Sequence, residues 1–370
     1  MKIKRIQAHY VRIPFDMGAP LQDMGGLRFP SMDHLLVEVT TDTGLTGWGE
    51  GFGHTIIPAT QAALESCVAP WFIGKDATDI EGLHRQAAQA FHIFGRHGPV
   101  VYAHSAIDIA LWDIAGKRAG LPLYQLLGGA SRTHVRAYAS LLRYSKPETV
   151  ARICANRVQQ GFRHIKLHEH DTAAVIAARD GAGADTALMN DVNCPWPVLD
   201  AMEMERSYRK ANLYWLEEPV WPPEDHSGLA RVRSRAQTLI AAGENAAGLH
   251  DFKDLFEKDA IDIAQPSVTK IGGVTVMRKI AALAEAHAIK FIPHCAYFGP
   301  GNLASIHIVA AHGPDTLLEN IYANLQANPF GDAMQARDGM VAVPQSAGLG
   351  VEPDMAVVAK YRQGPVSNIV

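Results

Sequence analysis

The chain has 370 residues, of which 48% are hydrophobic and 19% are charged, a composition typical of a globular protein with a large core. The net charge of −4 and the lack of any cluster of Lys and Arg argue against a nucleic-acid-binding protein. No apolar run approaches the roughly 18 residues that a membrane span needs, and the N-terminal residues do not resemble a signal peptide. The four cysteines are scattered, which favours reduced thiols and a cytoplasmic protein.

The first part of the chain has the pattern of an α+β unit. Residues 1–15 and 34–50 predict strands, with a turn at Asp42-Thr43-Gly44, and residues 17–28 predict a loop. From about residue 58 the pattern is helical until Gly128-Gly129 interrupts it. We therefore predict an N-terminal capping domain over residues 1–128.

The second part repeats. Eight short apolar runs recur about every 25 residues, with Ala-rich helical stretches such as 149–160 and 277–287 between them. This period is typical of a TIM-like barrel, in which the chemistry lies at the carboxyl ends of the strands. We predict a barrel over residues 129–327 and a C-terminal segment over 328–370 that returns to the cap. The predicted strand ends are Ser140, Lys166, Asp191, Glu217, Glu244, Ser267, His294 and Glu319.

Three consecutive strand ends carry carboxylates, namely Asp191, Glu217 and Glu244. Any one of them alone would be explained by a salt bridge or a helix cap. Three carboxylates at one mouth repel one another unless a cation lies among them. A ligand set made only of oxygen favours Mg²⁺ over Zn²⁺ or Cu²⁺, and Mg²⁺ keeps positions open for substrate. We predict one Mg²⁺ per active site and a small-molecule substrate with a carboxylate.

Three basic side chains flank this predicted site. Lys166 and His168 are two residues apart on one strand and so share a face. The nearby ammonium is expected to lower the pKa of His168 and to leave its imidazole neutral, as a base requires. His294 ends a strand on the other side of the ring, where it would deliver a proton or protonate a leaving hydroxyl. With 17 histidines in the chain, a given one is more often structural, and position alone distinguishes these two.

Several motifs in a specific order extend this interpretation. In the cap they are Gly47-Trp48-Gly49-Glu50, the stretch from Ala106 to Lys117 and Leu126-Leu127-Gly128-Gly129; in the barrel they are Gly161-Phe162-Arg163, Asp191-Val192-Asn193, Trp215-Leu216-Glu217-Glu218-Pro219, Gly243-Glu244-Asn245 and Lys270-Ile271-Gly272-Gly273-Val274. With them the chain resembles the mandelate racemase and muconate lactonizing family of the enolase superfamily over nearly its whole length. The resemblance implies an α+β cap over a (β/α)₇β barrel and a homo-oligomer. It also implies Mg²⁺ held by Asp191, Glu217 and Glu244, with Glu217 rather than Glu218 as the ligand.

Two departures from the family pattern bear on the reaction. Lys166-Leu167-His168 stands where the family usually has Lys-x-Lys, which puts His168 at the position of the base. Ser267 stands where the mandelate racemase branch has an Asp beside the far-side histidine. A hydroxyl orients His294 but does not stabilise its cation, so His294 is expected to be a weaker base and a better acid.

The departures favour dehydration of a hydroxy acid, such as a sugar acid. His168 would remove the α-proton, Mg²⁺ with Lys166 and Lys270 would stabilise the enediolate, and His294 or Glu319 would assist departure of the β-hydroxyl. Two alternatives stay open: a racemase or epimerase with opposed histidines, and a catalytically weak relative that only binds. Asn193 and Tyr297 are predicted as supporting residues. Substrate contacts are expected in the loops 17–28, 51–57 and 295–302, where Arg28, His54 and Tyr297 are candidates.

Overall fold

The computed structural model describes residues 1–21, 28–130 and 132–370. These residues form an antiparallel sheet with helices and a separate barrel of parallel strands, so the predicted fold class is confirmed. Residues 22–27, within the predicted loop 17–28, lie outside the described residues. In the described part of the chain, no helix is both long and apolar enough to cross a membrane.

The cap is built on three antiparallel strands followed by helices, as the sequence pattern predicts. Strand β1 pairs with β2 along most of its length, and β2 pairs with β3. The strands are β1 (Ile3–Asp16), β2 (Ser31–Thr41) and β3 (Thr46–Gly51). The helices are α1 (Ile57–Ala63), α2 (Ala69–Phe72), α3 (Ile80–Ala90), α4 (Pro99–Ala119) and α5 (Leu123–Leu126), with a π-helical turn at Leu64–Val68 between α1 and α2 and short 3₁₀ turns at His54–Ile56 and His92–Phe94.

Helix α4 packs closely on the cap sheet, and glycines make the approach possible. A Cβ added to Gly49 would lie 1.7 Å from the carbonyl oxygen of Ala106, and one added to Gly47 would lie 2.2 Å from that of Ala110. Any side chain at either position would therefore separate the helix from the sheet. The helix begins at a proline and ends at Gly120, which is left-handed with φ +68°.

The same helix also fastens the cap to the barrel. Asp108 accepts a hydrogen bond from the backbone N–H of Thr275 at 3.0 Å, and Trp112 donates one to the Thr275 hydroxyl at 2.9 Å. One turn on, Asp113 accepts from the N–H groups of Trp48 at 2.9 Å and Leu349 at 2.7 Å. The two aspartates of the cap motif are thus buried structural anchors that set the cap over the barrel mouth.

The barrel consists of eight parallel strands joined by seven helices. The strands from β4 to β10 pair in chain order, and β11 pairs with β4 on its other side. The strands are β4 (His134–Ser140), β5 (His164–Leu167), β6 (Ala187–Asp191), β7 (Leu213–Glu217), β8 (Leu239–Ala242), β9 (Ile263–Ala264), β10 (Lys290–Phe291) and β11 (Leu318–Ile321). The connecting helices are α6 (Pro147–Gln159), α7 (Thr172–Ala182), α8 (Val198–Tyr208), α9 (His226–Arg233), α10 (Leu249–Glu257), α11 (Gly273–Ala286) and α12 (Pro300–His312), with a 3₁₀ turn at Arg209–Ala211.

Several predicted strand ends are wrong by two or three residues. Strands β8, β9 and β10 end before Glu244, Ser267 and His294, which lie in the loops that follow. Pro266 and Pro293 have no N–H to donate to the ladder, and the backbone at Gly243 turns to a positive φ of +138°. An isolated bridge between Ser267 and His294 keeps these two loops in parallel register. At the other end of the ring, β11 runs two residues beyond the predicted end at Glu319.

The chain that follows the last barrel strand contacts both parts of the molecule, and this contact begins at residues 324–325, before the predicted start of the C-terminal segment at 328. Strands β12 (Asn324–Leu325) and β14 (Ser367–Ile369) pair with β1 of the cap, whereas β13 (Met340–Ala342) pairs with β4 of the barrel. Helix α13 (Met355–Tyr361) lies between them in the chain. These pairings tie cap and barrel together a second time, independently of α4.

Candidate active site

The three predicted carboxylates meet at the mouth of the barrel. Asp191 and Glu217 end adjacent strands β6 and β7, and Glu244 follows β8 by two residues. One oxygen from each carboxylate lies within 4.8 Å of an oxygen from each of the others. Asp191 and Glu217 are buried and Glu244 is nearly so, with 17% of its side chain exposed. The barrel thus concentrates three acidic groups where little water is available to screen them.

Glu217 and Glu218 lie differently although they are adjacent. Glu217 belongs to the cluster of three acids, and its Oε2 accepts a hydrogen bond from the indole of Trp215 at 2.9 Å. Glu218 leaves the strand with a positive φ of +47° and accepts instead from the side-chain amide of Asn245 at 2.8 Å. The geometry therefore favours the first glutamate as the metal ligand.

Lys166 lies beneath these acids and is fully buried. Its Nζ is 3.2 Å from Asp191, 3.0 Å from Glu217 and 2.8 Å from Glu319. Burial lowers the pKa of this lysine, but Glu217 and the other surrounding carboxylates outweigh burial and raise it well above its ordinary value. Lys166 is therefore a fixed positive charge at the mouth rather than a proton acceptor.

His168 is held with one nitrogen to the backbone and the other to the acids. Its Nδ1 lies 2.5 Å from the carbonyl oxygen of Leu141, which only accepts, so Nδ1 carries a proton. Its Nε2 lies 3.2 Å from Asp191. The prediction that its pKa is lowered is wrong: burial lowers the pKa, but Asp191 outweighs both burial and Lys166 and raises it. Spacing along one strand could not reveal that the carboxylate of the next strand lies so close.

His294 takes part in a closed chain of hydrogen bonds. Its Nδ1 is 3.2 Å from the Ser267 hydroxyl, which lies 2.9 Å from the Tyr297 hydroxyl, and Tyr297 donates to the carbonyl oxygen of His294 at 3.0 Å. Because Tyr297 donates there, it accepts from Ser267, and Ser267 in turn accepts from Nδ1–H. These hydrogen bonds orient the imidazole of His294 and direct its Nε2 to Glu244, at 2.6 Å.

The expectation that His294 is a weak base is also wrong in direction. Burial lowers its pKa, but Glu244, followed by Glu319, outweighs burial and raises it. Ser267 does not carry a charge that would stabilise the imidazolium, and Glu244 does. The sequence has no carboxylate at Ser267 to pair with His294. In the structure, Glu244, in the loop after β8, is the carboxylate partner instead.

The remaining predicted residues occupy supporting positions. Asn193 donates from its backbone and its side-chain amide to the same oxygen of Asp191, each at 3.0 Å. Glu319 is held by Lys166 and by the backbone N–H of Cys295 at 2.7 Å. Burial raises its pKa, but Lys166 and His294 lower it to about 2, so Glu319 is ionised at neutral pH and has no proton to donate. The Nζ of Lys270 lies 3.5 Å from Asn245 and 4.9 Å from the centre of the Phe52 ring in the cap.

A cavity of about 190 Å³ opens above these groups, between the barrel mouth and the cap. His168, Asn193 and His294 line it, together with Glu244 and Glu319. Of the loop residues named as candidates, His54 lines the cavity, Tyr297 lies behind His294, and Arg28 is exposed.

Sequence reasoning missed Arg143, which also lines this cavity. It follows the first barrel strand, and its guanidinium donates to the carbonyl oxygen of His168 at 2.7 Å and lies 2.9 Å from His170. Its position in the repeat, three residues after the strand end at Ser140, was the one available signal. Arg143 holds the segment that carries His168 and adds a positive charge beside it.

The chemistry of the donor set fits a divalent cation. Three carboxylates, each with an oxygen within 4.8 Å of an oxygen of the others, offer the hard oxygen ligands that such a cation prefers. Asp191, Glu217 and Glu244 would hold Mg²⁺ here.

We expect Glu217→Gln to weaken Mg²⁺ binding more than a hundredfold, because a ligand charge is lost. Isothermal titration of the purified protein with MgCl₂ measures this directly, with thermal unfolding as a second readout. A ligand at a hundred times its Kd adds about 2.7 kcal/mol to the free energy of unfolding. Glu218→Gln is the matched control. Because Glu218 contacts Asn245 and does not belong to the cluster of three acids, the affinity should change by at most about tenfold, the lower end of the effect of residues around metal ligands. Equal losses in the two variants would contradict the choice of ligand.

Two histidines, a buried lysine and three carboxylates meet at the mouth of a capped (β/α)₇β barrel, which is the arrangement of an enzyme active site. Comparison with known proteins identifies the family of this enzyme. A family model described as "Enolase C-terminal domain-like" matches residues 149–357, and one described as "Mandelate racemase / muconate lactonizing enzyme, N-terminal domain" matches residues 28–128. The chain belongs to the mandelate racemase/muconate lactonizing family of the enolase superfamily, whose members use Mg²⁺.

Similar proteins include both dehydratases and isomerases. The D-galactarolactone cycloisomerase of Agrobacterium fabrum is 32% identical over 98% of this chain and 99% of its own. The arabinonate dehydratase of Saccharolobus solfataricus is 30% identical over 91% of this chain and 92% of its own. The crystal structure of L-talarate dehydratase from Polaromonas sp. JS666, complexed with Mg and L-glucarate, has a TM-score of 0.84 at 28% identity and covers 100% of this chain and 99% of that chain. The chain is accordingly a lyase or an isomerase.

Proposed function

We propose that this enzyme removes the proton α to the carboxylate of a hydroxy acid, such as a sugar acid, and then expels the β-hydroxyl to give a 2-keto-3-deoxy product. The observation that carries the proposal is the placement of two histidines in one cavity. His168 follows β5 and His294 follows β10, on opposite sides of the three acid-bearing strands. Groups so placed reach a substrate between them from two sides.

The steps assign one proton transfer to each histidine. A divalent cation on the three acids would draw electrons from the substrate carboxylate and so make its α-proton more acidic. With its proton on Nδ1 held by Leu141, His168 would accept the α-proton at Nε2 once a cation on Asp191 offsets the carboxylate charge that raises the pKa of the imidazole. The C–H electrons then form the double bond of an enediolate. The ammonium of Lys166 offsets the negative charge that develops. The β C–O bond then breaks, the hydroxyl leaves as water with a proton from His294, and the enol becomes the ketone.

His294 rather than Glu319 supplies the proton to the leaving hydroxyl. The pKa of Glu319 is held at about 2, so that residue carries no proton at neutral pH. The pKa of His294 is raised, which favours the protonated imidazole that an acid needs. These directions favour His294 over Glu319 as the acid, between the two residues that the sequence left open.

Isomerisation is the second candidate, and two observations favour it. The close approach of Glu244 to His294 gives the second histidine a carboxylate partner, as a base in a racemase or epimerase would need. The similarity to cycloisomerases points the same way, because loss of a β-oxygen that stays tethered to the substrate rearranges it without releasing water. The third candidate is a catalytically weak relative that binds a carboxylate without turnover. Separately, the assembly of several identical chains stays a prediction.

Two measurements separate the candidates. Purified enzyme with Mg²⁺ is incubated in D₂O with a library of hydroxy acids and sugar acids, and α-proton exchange is followed by NMR. Products are then treated with semicarbazide, which reacts with the ketone of a 2-keto-3-deoxy acid and not with an epimer, and weighed by mass spectrometry, in which a ketone formed without loss of water identifies a cycloisomerisation. Exchange with ketone formation is expected. Exchange with an epimer alone would replace dehydration by isomerisation, and no exchange with any acid would leave only the binding role.

A further inference from the structure

The cavity above the acids has two chemically different halves. The barrel half carries almost all of the polar side chains: Arg143, His168, Asn193, Glu244, His294 and Glu319. Among the residues that the structure describes, the cap half has one polar residue and otherwise consists of Phe15, Met17, Leu21, Phe29 and Met32. A substrate held by its carboxylate at the acids therefore extends its other end toward an apolar wall.

The one polar residue on the cap side, among those that the structure describes, is His54. Its ring lies between two aromatic rings, 5.9 Å from that of Phe29 and 4.8 Å from that of Phe52. Burial lowers its pKa to about 4, so the ring is neutral and offers no positive charge to a carboxylate at the distal end of the substrate. Arg28, next to Phe29, is exposed and does not line the cavity.

Arg143, which is positively charged and lies on the barrel side of the cavity, does not extend toward this apolar wall either. Two nitrogens of Arg143 are engaged beside His168, with the carbonyl oxygen of His168 and with the ring of His170. Arg143 therefore lies beside His168, on the barrel side of the cavity. Against the apolar side chains of the cap half, a distal carboxylate would lose its water and meet no cation among the described residues there, and a distal hydroxyl would meet only the ring of His54.

We propose that the distal end of the substrate is deoxygenated, with a methyl or alkyl group in place of a hydroxymethyl group or a second carboxylate. The proposal rests on the proposed function, since it assumes that the carboxylate end binds at the acids. The small size of the cavity limits the substrate to a few carbons beyond the reacting centre. A terminal methyl contacts the apolar side chains of the cap and leaves no polar group unpaired.

Matched pairs of acids test the proposal. For each configuration, kcat/KM is measured with a 6-deoxyhexonate, with its parent hexonate and with the corresponding hexarate, and α-proton exchange is followed in D₂O with Mg²⁺. The 6-deoxy acid should exceed its parent by about tenfold to a hundredfold, the range over which apolar pockets discriminate. The hexarate should react more slowly still. An equal or faster reaction of the parent, of the hexarate or of a ring-closed lactone would overturn the proposal while leaving α-proton abstraction intact.

A variant pair on a rigid strand tests the wall itself. Met32→Gln places an amide in the wall at nearly the same length, and should lower the ratio of the two kcat/KM values several-fold. Met32→Leu keeps the wall apolar and should keep the ratio. A ratio between two substrates is insensitive to the amount of folded enzyme, and Leu21→Gln offers a second position if Met32→Gln folds poorly. An unchanged ratio in the glutamine variants would contradict the inference, whereas absence of exchange with every acid would overturn the proposed function instead.

Discussion

Replacing His168 by glutamine should abolish exchange of the substrate α-proton with D₂O. The glutamine amide can still donate to the carbonyl oxygen of Leu141, as Nδ1 of the histidine does at 2.5 Å. It has no nitrogen that accepts a proton near neutral pH, so the base is removed with little change in volume. Loss of a general base typically lowers a rate by ~10²–10⁴. We expect exchange and product formation to fall together, since both begin with this proton.

The measurement is NMR of the α-proton signal in D₂O, with Mg²⁺ binding followed separately by titration. Binding should persist, because His168 contacts Asp191 without belonging to the cluster of three acids. His170→Gln is the matched control: His170 lies two residues further on and contacts Arg143 and the backbone of Val192, each at 2.9 Å, but does not line the cavity. It should retain exchange. Normal exchange in His168→Gln would show that another group is the base.

The sequence pattern was sufficient to predict the barrel architecture and the proximity of the three carboxylates at its mouth. The strand period of about 25 residues placed Asp191 and Glu217 at the ends of adjacent strands, where the structure has them. Such a period carries information because consecutive parallel strands of a barrel are neighbours in space. The exact ends of the short strands were predicted less well, although Pro266 and Pro293 in the sequence signal that the ladder stops early.

Electrostatics at the mouth could not be predicted in the same way. The sign of the pKa shift of His168 depends on whether burial and Lys166, which lower the pKa, outweigh Asp191, which raises it, and that is decided by distances of a few ångströms between different strands. The contact between His294 and Glu244 joins residues 50 positions apart and is invisible to any local pattern. Composition can suggest that charges are present, but only the folded geometry decides which pairs form.

The apolar residues around the cavity could not be predicted from the sequence either. They come from distant parts of the chain: the cap contributes Phe15, Phe29 and Met32, and the last barrel strand contributes Ile321. Each of them alone is an ordinary hydrophobic residue in or near a strand, with no motif around it. Their common role depends on how α4 fastens the cap to the barrel, and so it emerges only from tertiary structure.

Replacing His294 by glutamine should separate the two halves of the reaction. If His168 removes the α-proton, exchange in D₂O should persist within about tenfold of the wild-type rate. Product formation should fall by ~10²–10⁴, since the leaving hydroxyl loses its proton donor. The enediolate would then be formed and reprotonated by the solvent-exchanged base, returning deuterated substrate instead of a ketone.

Ser267→Ala is the graded control for this variant. It removes the hydroxyl 3.2 Å from Nδ1 but leaves the imidazole and Glu244 in place, so product formation should fall less than in His294→Gln. Complete loss of exchange in His294→Gln would mean that His294, and not His168, accepts the α-proton. Loss of exchange from one enantiomer of the substrate alone would indicate two opposed bases, and hence racemisation. Exchange that persists without ketone formation, with a substrate that the wild-type enzyme converts to a ketone, is the outcome expected of elimination, because elimination requires a proton at the β-oxygen after the α-proton has left.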